Sequence, residues 1–211
     1  MMRLRVGQHC CQLDLCRGLQ GECRFSLVRP EDVRRILAPL ESRCADNTPD
    51  TSLIDISPHN CLKVAFAACP NACTMPQIKD MGFIAELAPQ SLRPTCSACG
   101  RCVTVCRENA IAAFAGLPEF DSNRCIRCGM CITQCPQEAI APALLQFAVL
   151  IGGRMGRHPR FADRLCTLST PGLVPFIERL LTAIESQPNA DRFADQIEHA
   201  GLSKLKELLH V

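Results

Sequence analysis

The chain has 211 residues, enough for one large domain or two small ones, and 47% of them are apolar, which excludes a disordered polypeptide. A formal net charge of +2, with no long block of like charge, gives no reason to expect a nucleic-acid or membrane-surface partner. The longest apolar stretch, Ala143 to Ile151, is far short of a bilayer span, and the first seven residues lack the apolar core of a secretory signal. What stands out is 17 cysteines beside no Trp and no Tyr. So many thiols mean a disulfide framework or metal ligation, and without a signal sequence a reducing, cytoplasmic setting is expected.

In chain order, the first readable element is a helix over Pro30–Leu37, with Pro at its first position and Glu31 and Asp32 in its first turn. A strand is expected over 59–68, where Val64, Phe66 and Ala68 alternate on one face. It runs into Cys69-Pro70-Asn71-Ala72-Cys73, and a second strand follows over 81–87. After a cysteine-rich centre, Leu144–Ile151 is strand-like and ends at Gly152-Gly153-Arg154-Met155-Gly156-Arg157-His158-Pro159. Two helices close the sequence, about 172–187 and 190–209, with Val174, Ile177, Leu180, Leu181 and Ile184 at helical spacing.

The centre carries the strongest signal. Cys96, Cys99, Cys102 and Cys106 form C-x2-C-x2-C-x3-C, and Cys125, Cys128, Cys131 and Cys135 repeat it at an offset of 29 residues, with Pro136 after the last. The neighbours repeat too, including Gly100 and Gly129, so this is an internal duplication. A tight loop can offer three thiolates to one cubane from C-x2-C-x2-C, while the fourth cysteine sits on the next helical turn and points away. In two-cluster ferredoxins that fourth cysteine ligates the other cluster. Cys96, Cys99, Cys102 and Cys135 are therefore expected to hold one [4Fe-4S] cluster, and Cys125, Cys128, Cys131 and Cys106 a second. Zinc would show paired C-x2-C and needs only four ligands. The first run ends in Cys106-Arg107 where the usual motif has Pro, a residue that shapes the turn but ligates nothing.

Strands and helices on either side of these runs imply an α+β fold: one α/β domain, residues 1–94 and 142–211, interrupted by a two-cluster ferredoxin at 95–141. Here the chain resembles the siroheme-binding domain of sulfite and nitrite reductases, in the subgroup with an inserted ferredoxin. The resemblance rests on Lys63–Cys73, Pro76–Gly82 and Val149–Pro159, and extends over most of the chain from about residue 16.

That resemblance implies a third [4Fe-4S] cluster and a siroheme. Cys69 and Cys73 would supply its C-x3-C pair, with Cys73 also the axial ligand of the siroheme iron. The other pair is Cys16 and Cys23, six residues apart where the family has five, or Cys10 and Cys16, which have the family spacing in poorer surroundings. Cys10, Cys11, Cys44, Cys61 and Cys166 otherwise read as bystander thiols. Siroheme carries carboxylates and sulfite is a dianion, so Arg and Lys donors are needed. The candidates are Lys63, Arg24, Arg157 and His158 for substrate and protons, and Arg17 and Arg154 for the cofactor. The family typically holds siroheme between two pseudo-symmetric copies of this domain. With one copy in view, the chain is expected to resemble the small single-repeat sulfite reductases, or to have its cleft completed by a second copy or a larger redox complex, with a redox protein or small electron donor supplying electrons. The implied activity is that of a siroheme sulfite or nitrite reductase; the alternative is a siroheme-free electron-transfer subunit of a larger complex.

Overall fold

The computed structural model describes residues 2–6, 9–43, 61–114, 117–185, 203, 206 and 207. The chain opens with strands β1 (Met2–Val6) and β2 (His9–Leu15), followed by a 3-10 turn, Arg17–Gln20, and helix α1 (Pro30–Arg43). Strand β3 (Cys61–Ala67) leads through a second 3-10 turn, Pro76–Ile78, to β4 (Met81–Glu86). Next come β5 (Pro89–Leu92), helix α2 (Arg101–Val105), strands β6 (Ile111–Phe114) and β7 (Leu117–Phe120), helix α3 (Met130–Thr133) and β8 (Ile140–Pro142). Strands β9 (Gln146–Ile151) and β10 (Asp163–Ser169) precede helix α4 (Thr170–Glu185).

Six strands form one sheet in the order β1-β2-β3-β4-β9-β10. The β2–β3 and β3–β4 pairs are parallel and the others antiparallel. A parallel pair needs a crossover, and α1 lies in the connection from β2 to β3. Side chains alternate across the sheet, so Leu13, Val64, Phe66, Met81, Phe83, Phe147 and Val149 fall on one face. There they pack against Val33, Ile36, Leu37 and Leu40 of α1 and Leu173, Phe176, Ile177 and Leu180 of α4. Phe66 and Phe83, partners in the β3–β4 register, stack with centroids 4.3 Å apart, and Phe176 meets Phe83 edge-on at 6.3 Å. Such pairs add about 0.5–1.5 kcal/mol beyond simple burial.

The opposite face carries smaller residues, including Ala67, Ile84 and Ala148. Gly82 belongs here because a Cβ would stand 2.5 Å from the Pro76 carbonyl oxygen, so the 3-10 turn lies flat on the sheet. Gly153 admits Gln77 and Lys79 in the same way, with carbonyl oxygens 2.6 Å from where its Cβ would be. Lys79 and Asp14 form a largely buried ion pair at 2.6 Å beneath this turn.

Strands β4 and β9 are neighbours, yet β5 to β8 and both short helices lie between them in sequence. This intervening segment has its own two-stranded sheets, β5–β8 and β6–β7, and a small core of Ile111, Cys131 and Ile140. Its two ends meet where the Ala143 N–H donates to the Ala88 carbonyl at 2.9 Å.

Several elements depart from the sequence reading. Strands β1, β2 and β10 were not expected, and α1 runs to Arg43 through Pro39, past the expected end at Leu37. The helix expected at about 190–209 lies outside the described residues, apart from 203, 206 and 207. Cys61, expected to be a bystander thiol, is disulfide-bonded. Among the described residues no helix is long and apolar enough to cross a membrane.

Candidate metal centres

The duplication in sequence is a duplication of backbone. Ala98 and Arg127 take φ of 54° and 58°, Gly100 and Gly129 take 72° and 68°, and Asn109 and Glu138 take 49° and 47°. Each pair is separated by the same 29 residues as the cysteines. Left-handed residues between ligands curl the chain around a centre and turn N–H groups inward. Accordingly the Ala110 N–H donates to Cys106 Sγ and the Ala139 N–H to Cys135 Sγ, both at 3.3 Å, while the Arg127 N–H reaches Cys125 Sγ at 3.4 Å. Such bonds favour the thiolate, the form a metal needs.

The thiols gather into two quartets, and the fourth cysteine of each run crosses over. Cys96, Cys99 and Cys102 line one cavity together with Cys135. Cys125, Cys128 and Cys131 line another together with Cys106. Burial pushes the Cys131 thiol up to about 12, and the charges of Cys125, Cys128 and Cys106 push the same way. Burial also raises Cys102, seconded by Cys96 and Cys99. At Cys135 burial works in the same direction, but backbone N–H groups from Ala139, Gln137, Ile140 and Glu138 outweigh it and hold the thiol below its ordinary value.

These donor sets fit iron–sulfide cubanes. Four ionised sulfurs crowded in a half-buried site repel one another unless cations lie among them. Each quartet lines a common cavity, and a cubane spreads its irons over a cage.

A third gathering joins the N-terminal strands to the loop after β3. Cys16 ends β2, with its N–H on the Phe66 carbonyl at 3.2 Å and its Sγ accepting the Ala68 N–H at 3.1 Å. The 3-10 turn then brings Cys23 back, and it can lie close because a Cβ on Gly18 would stand 2.7 Å from that of Ala68. Burial raises the Cys69 thiol, an Asn71 N–H opposes this, and Cys16, Cys73 and Cys23 add repulsion. The loop closes through left-handed Ala72 and Met75, φ 49° and 52°, and a bond from Thr74 Oγ1 to the Phe66 carbonyl at 3.1 Å. Cys73 is the exposed member of the four, which fits a sulfur shared with a second group outside the loop. Cys10 lies at the other end of β2, opposite Cys61, about 20 Å along the strand from Cys16.

The cationic candidates occupy separate places. Arg24 is exposed with its guanidinium 4.7 Å above the Phe25 ring, and Arg17 is exposed on the 3-10 turn. Lys63 is half-buried on β3, its N–H bonded to Asp80 Oδ2 at 2.8 Å. Arg154 Nε donates to the His158 carbonyl at 3.0 Å, within a loop where Arg157 and His158 are exposed. That loop meets the Pro76 turn through the Ala162 N–H and the Gln77 carbonyl at 2.7 Å.

Sequence reading missed the Arg127–Glu86–Arg164 group, in which Glu86 at the end of β4 accepts from a residue of the second cysteine loop and one of β10. It missed Lys79–Asp14 as well. No local pattern links residues so far apart.

Cysteine quartets on such a scaffold define an iron–sulfur protein. The chain belongs to the family described as nitrite and sulphite reductase 4Fe-4S domain, whose model matches residues 55–211. It is 32% identical over 190 residues to the coenzyme F420-dependent sulfite reductase of Methanocaldococcus jannaschii; the match covers 89% of this chain and 29% of that protein, so this chain spans under a third of its curated relative. Among solved structures it resembles dissimilatory sulfite reductase I, with a TM-score of 0.59 and 16% identity, over 99% of this chain and 52% of that one. The NirA protein of Mycobacterium tuberculosis aligns at a TM-score of 0.47 and 19% identity, over 92% of this chain and 26% of that one. The sheet and its helices thus follow a sulfite-reductase fold.

Proposed function

We propose that this chain is the electron-relay and cofactor-holding part of a siroheme sulfite or nitrite reductase. In this reading residues 95–141 are a two-cluster unit inserted between the halves 1–94 and 142–211 of the reductase domain. Cys96, Cys99, Cys102 and Cys135 hold an outer [4Fe-4S] cluster and Cys106, Cys125, Cys128 and Cys131 an inner one. Cys16, Cys23, Cys69 and Cys73 hold a third, with Cys73 shared with the siroheme. When bound, the cubanes supply one-electron carriers and the siroheme supplies an iron that takes the substrate's sulfur or nitrogen.

One observation carries this order. The cavity lined by the inner quartet is also lined by Arg24, Phe25 and Asn71, which flank Cys23, Cys69 and Cys73. Phe25 and Pro89 give the same cavity apolar lining, and the Asn71 N–H steadies Cys69. Arg24, Lys63 and Arg157 would bind substrate oxygens and His158 would hand on protons, while Arg17 and Arg154 would take cofactor carboxylates. A second copy or a larger redox complex would complete the cleft, and Cys73, Arg157 and His158 are each exposed. A redox protein or small donor in a reducing, cytoplasmic compartment would feed the outer cluster.

Anaerobically purified protein tests the proposal. Iron and acid-labile sulfide should match three cubanes, and the visible spectrum should carry siroheme bands that Cys73→Ser removes without loss of the outer and inner clusters. Three cubanes without siroheme would favour the relay-subunit alternative, and absence of iron would end both readings.

A further inference from the structure

The duplicated loops carry their arginine at different places: the outer loop has Arg101 where the inner has Met130, and the inner loop has Arg127. Where the outer loop has Ala98, the inner loop has Arg127, between ligands Cys125 and Cys128 and in the same left-handed conformation. Arg127 Nη1 donates to Glu86 Oε2 at 2.9 Å. Arg164 approaches the same carboxylate in a two-pronged manner, Nη1 to Oε1 at 3.0 Å and Nη2 to Oε2 at 2.8 Å. The Glu86 side chain is only 11% exposed, so its charge is weakly screened. Next to it, the Leu87 N–H donates to the Arg127 carbonyl at 2.7 Å, and Leu87 pairs with Cys128 in a parallel bridge. The end of β4 therefore grips the inner loop by side chain and backbone together, and β10 braces the grip.

We infer that Glu86 is a positioning and potential-setting residue for the inner cluster. It fixes Arg127 and offsets that residue's positive charge within the inner cysteine loop. This inference rests on the proposed cluster-binding role of Cys106, Cys125, Cys128 and Cys131. Adding an electron to a cluster adds negative charge, which a nearby cation favours and a nearby carboxylate opposes. With two arginines and one carboxylate the group carries a net positive charge; loss of Glu86 raises it, and loss of Arg127 cancels it. The outer loop has Ala98 at the equivalent place, and its own arginine, Arg101, is exposed.

The test is an anaerobic redox titration of the full-length holoprotein with dithionite as reductant, followed by electron paramagnetic resonance. A Cys99→Ser variant identifies the outer signal. Glu86→Gln should shift the inner midpoint to more positive potential, Arg127→Met should shift it to more negative, and Glu86→Asp should leave it near that of the unaltered protein. The outer midpoint should stay fixed in all three. A purely structural link would not move the midpoint in opposite directions for the two partners. If Glu86→Gln fails to retain its inner iron, Arg127→Met decides. An unmoved inner midpoint in Arg127→Met protein with full iron overturns the inference while leaving the proposed function standing. Absence of iron from the inner quartet of the unaltered protein overturns both.

Discussion

At positions 29 residues apart, Ala98 and Arg127 share one backbone conformation, φ 54° and 58°, and nothing else. Ala98 is exposed, whereas Arg127 is tied to Glu86 and through it to β10. Gly100 repeats the contrast, since a Cβ there would meet nothing within 4 Å, while one on Gly129 would stand 3.0 Å from Leu27 Cδ2. Local sequence thus specifies the ligand loop twice over, and tertiary surroundings make one copy an outer face and the other an inner joint. The loop is a repeated part; its role comes from what it is pressed against.

Substitutions at equivalent positions can break or sharpen this contrast. The largest effect is expected for Cys131→Ser, which should lose the iron of one cubane and unfold at lower urea than Cys102→Ser, because Cys131 is buried in the insert's small core. Iron analysis and anaerobic urea titration would measure both. Gly129→Ala should come next. It costs about 1–2 kcal/mol for left-handed backbone and something more because Leu27 Cδ2, 3.0 Å from the added Cβ, must give way. Gly100→Ala should pay only the first of these, so equal losses in melting temperature would contradict a buried inner loop.

A smaller effect separates Ala98→Gly from Arg127→Gly. Glycine relieves the left-handed strain by up to about 1 kcal/mol, which should show as a gain at position 98. At position 127 the lost ion pair should offset that gain, and calorimetry would compare them. A separate effect is a pH dependence of metal-free, reduced protein. The Cys131 thiol rises from 9.0 to about 12 on folding, so its stabilisation is whole below pH 9.0 and fades as pH climbs toward 12. Urea midpoints should fall over that window, and less steeply in Cys131→Ser.

The gathering of the eight central cysteines into two groups was legible because each loop is a local object set by the spacing of its own residues. The central strands were legible from alternation, and β3, β4 and β9 lie within a residue or two of where it put them. Strand β2 was not, although Cys11, Leu13 and Leu15 alternate, because its cysteines competed as ligands. Strand β10 hides its period behind a bulge between Arg164 and Cys166. The gathering of Cys16 and Cys23 with Cys69 and Cys73 follows from β2 running parallel to β3, so that both strands end at one rim. Spacing alone could not reveal that, and it left Cys10 as a rival to Cys23. Glu86 was unreadable for the same reason: its partners stand 41 and 78 residues away.

The hydrogen bond from Ala143 to Ala88 sits where the cysteine-rich insertion leaves and rejoins the sheet. Since β4 and β9 are antiparallel neighbours, a tight turn spliced at that point would leave an ordinary hairpin. The insertion is therefore detachable in principle: evolution could plug it in, exchange it or unplug it at a single seam without rebuilding the hydrophobic layer beneath.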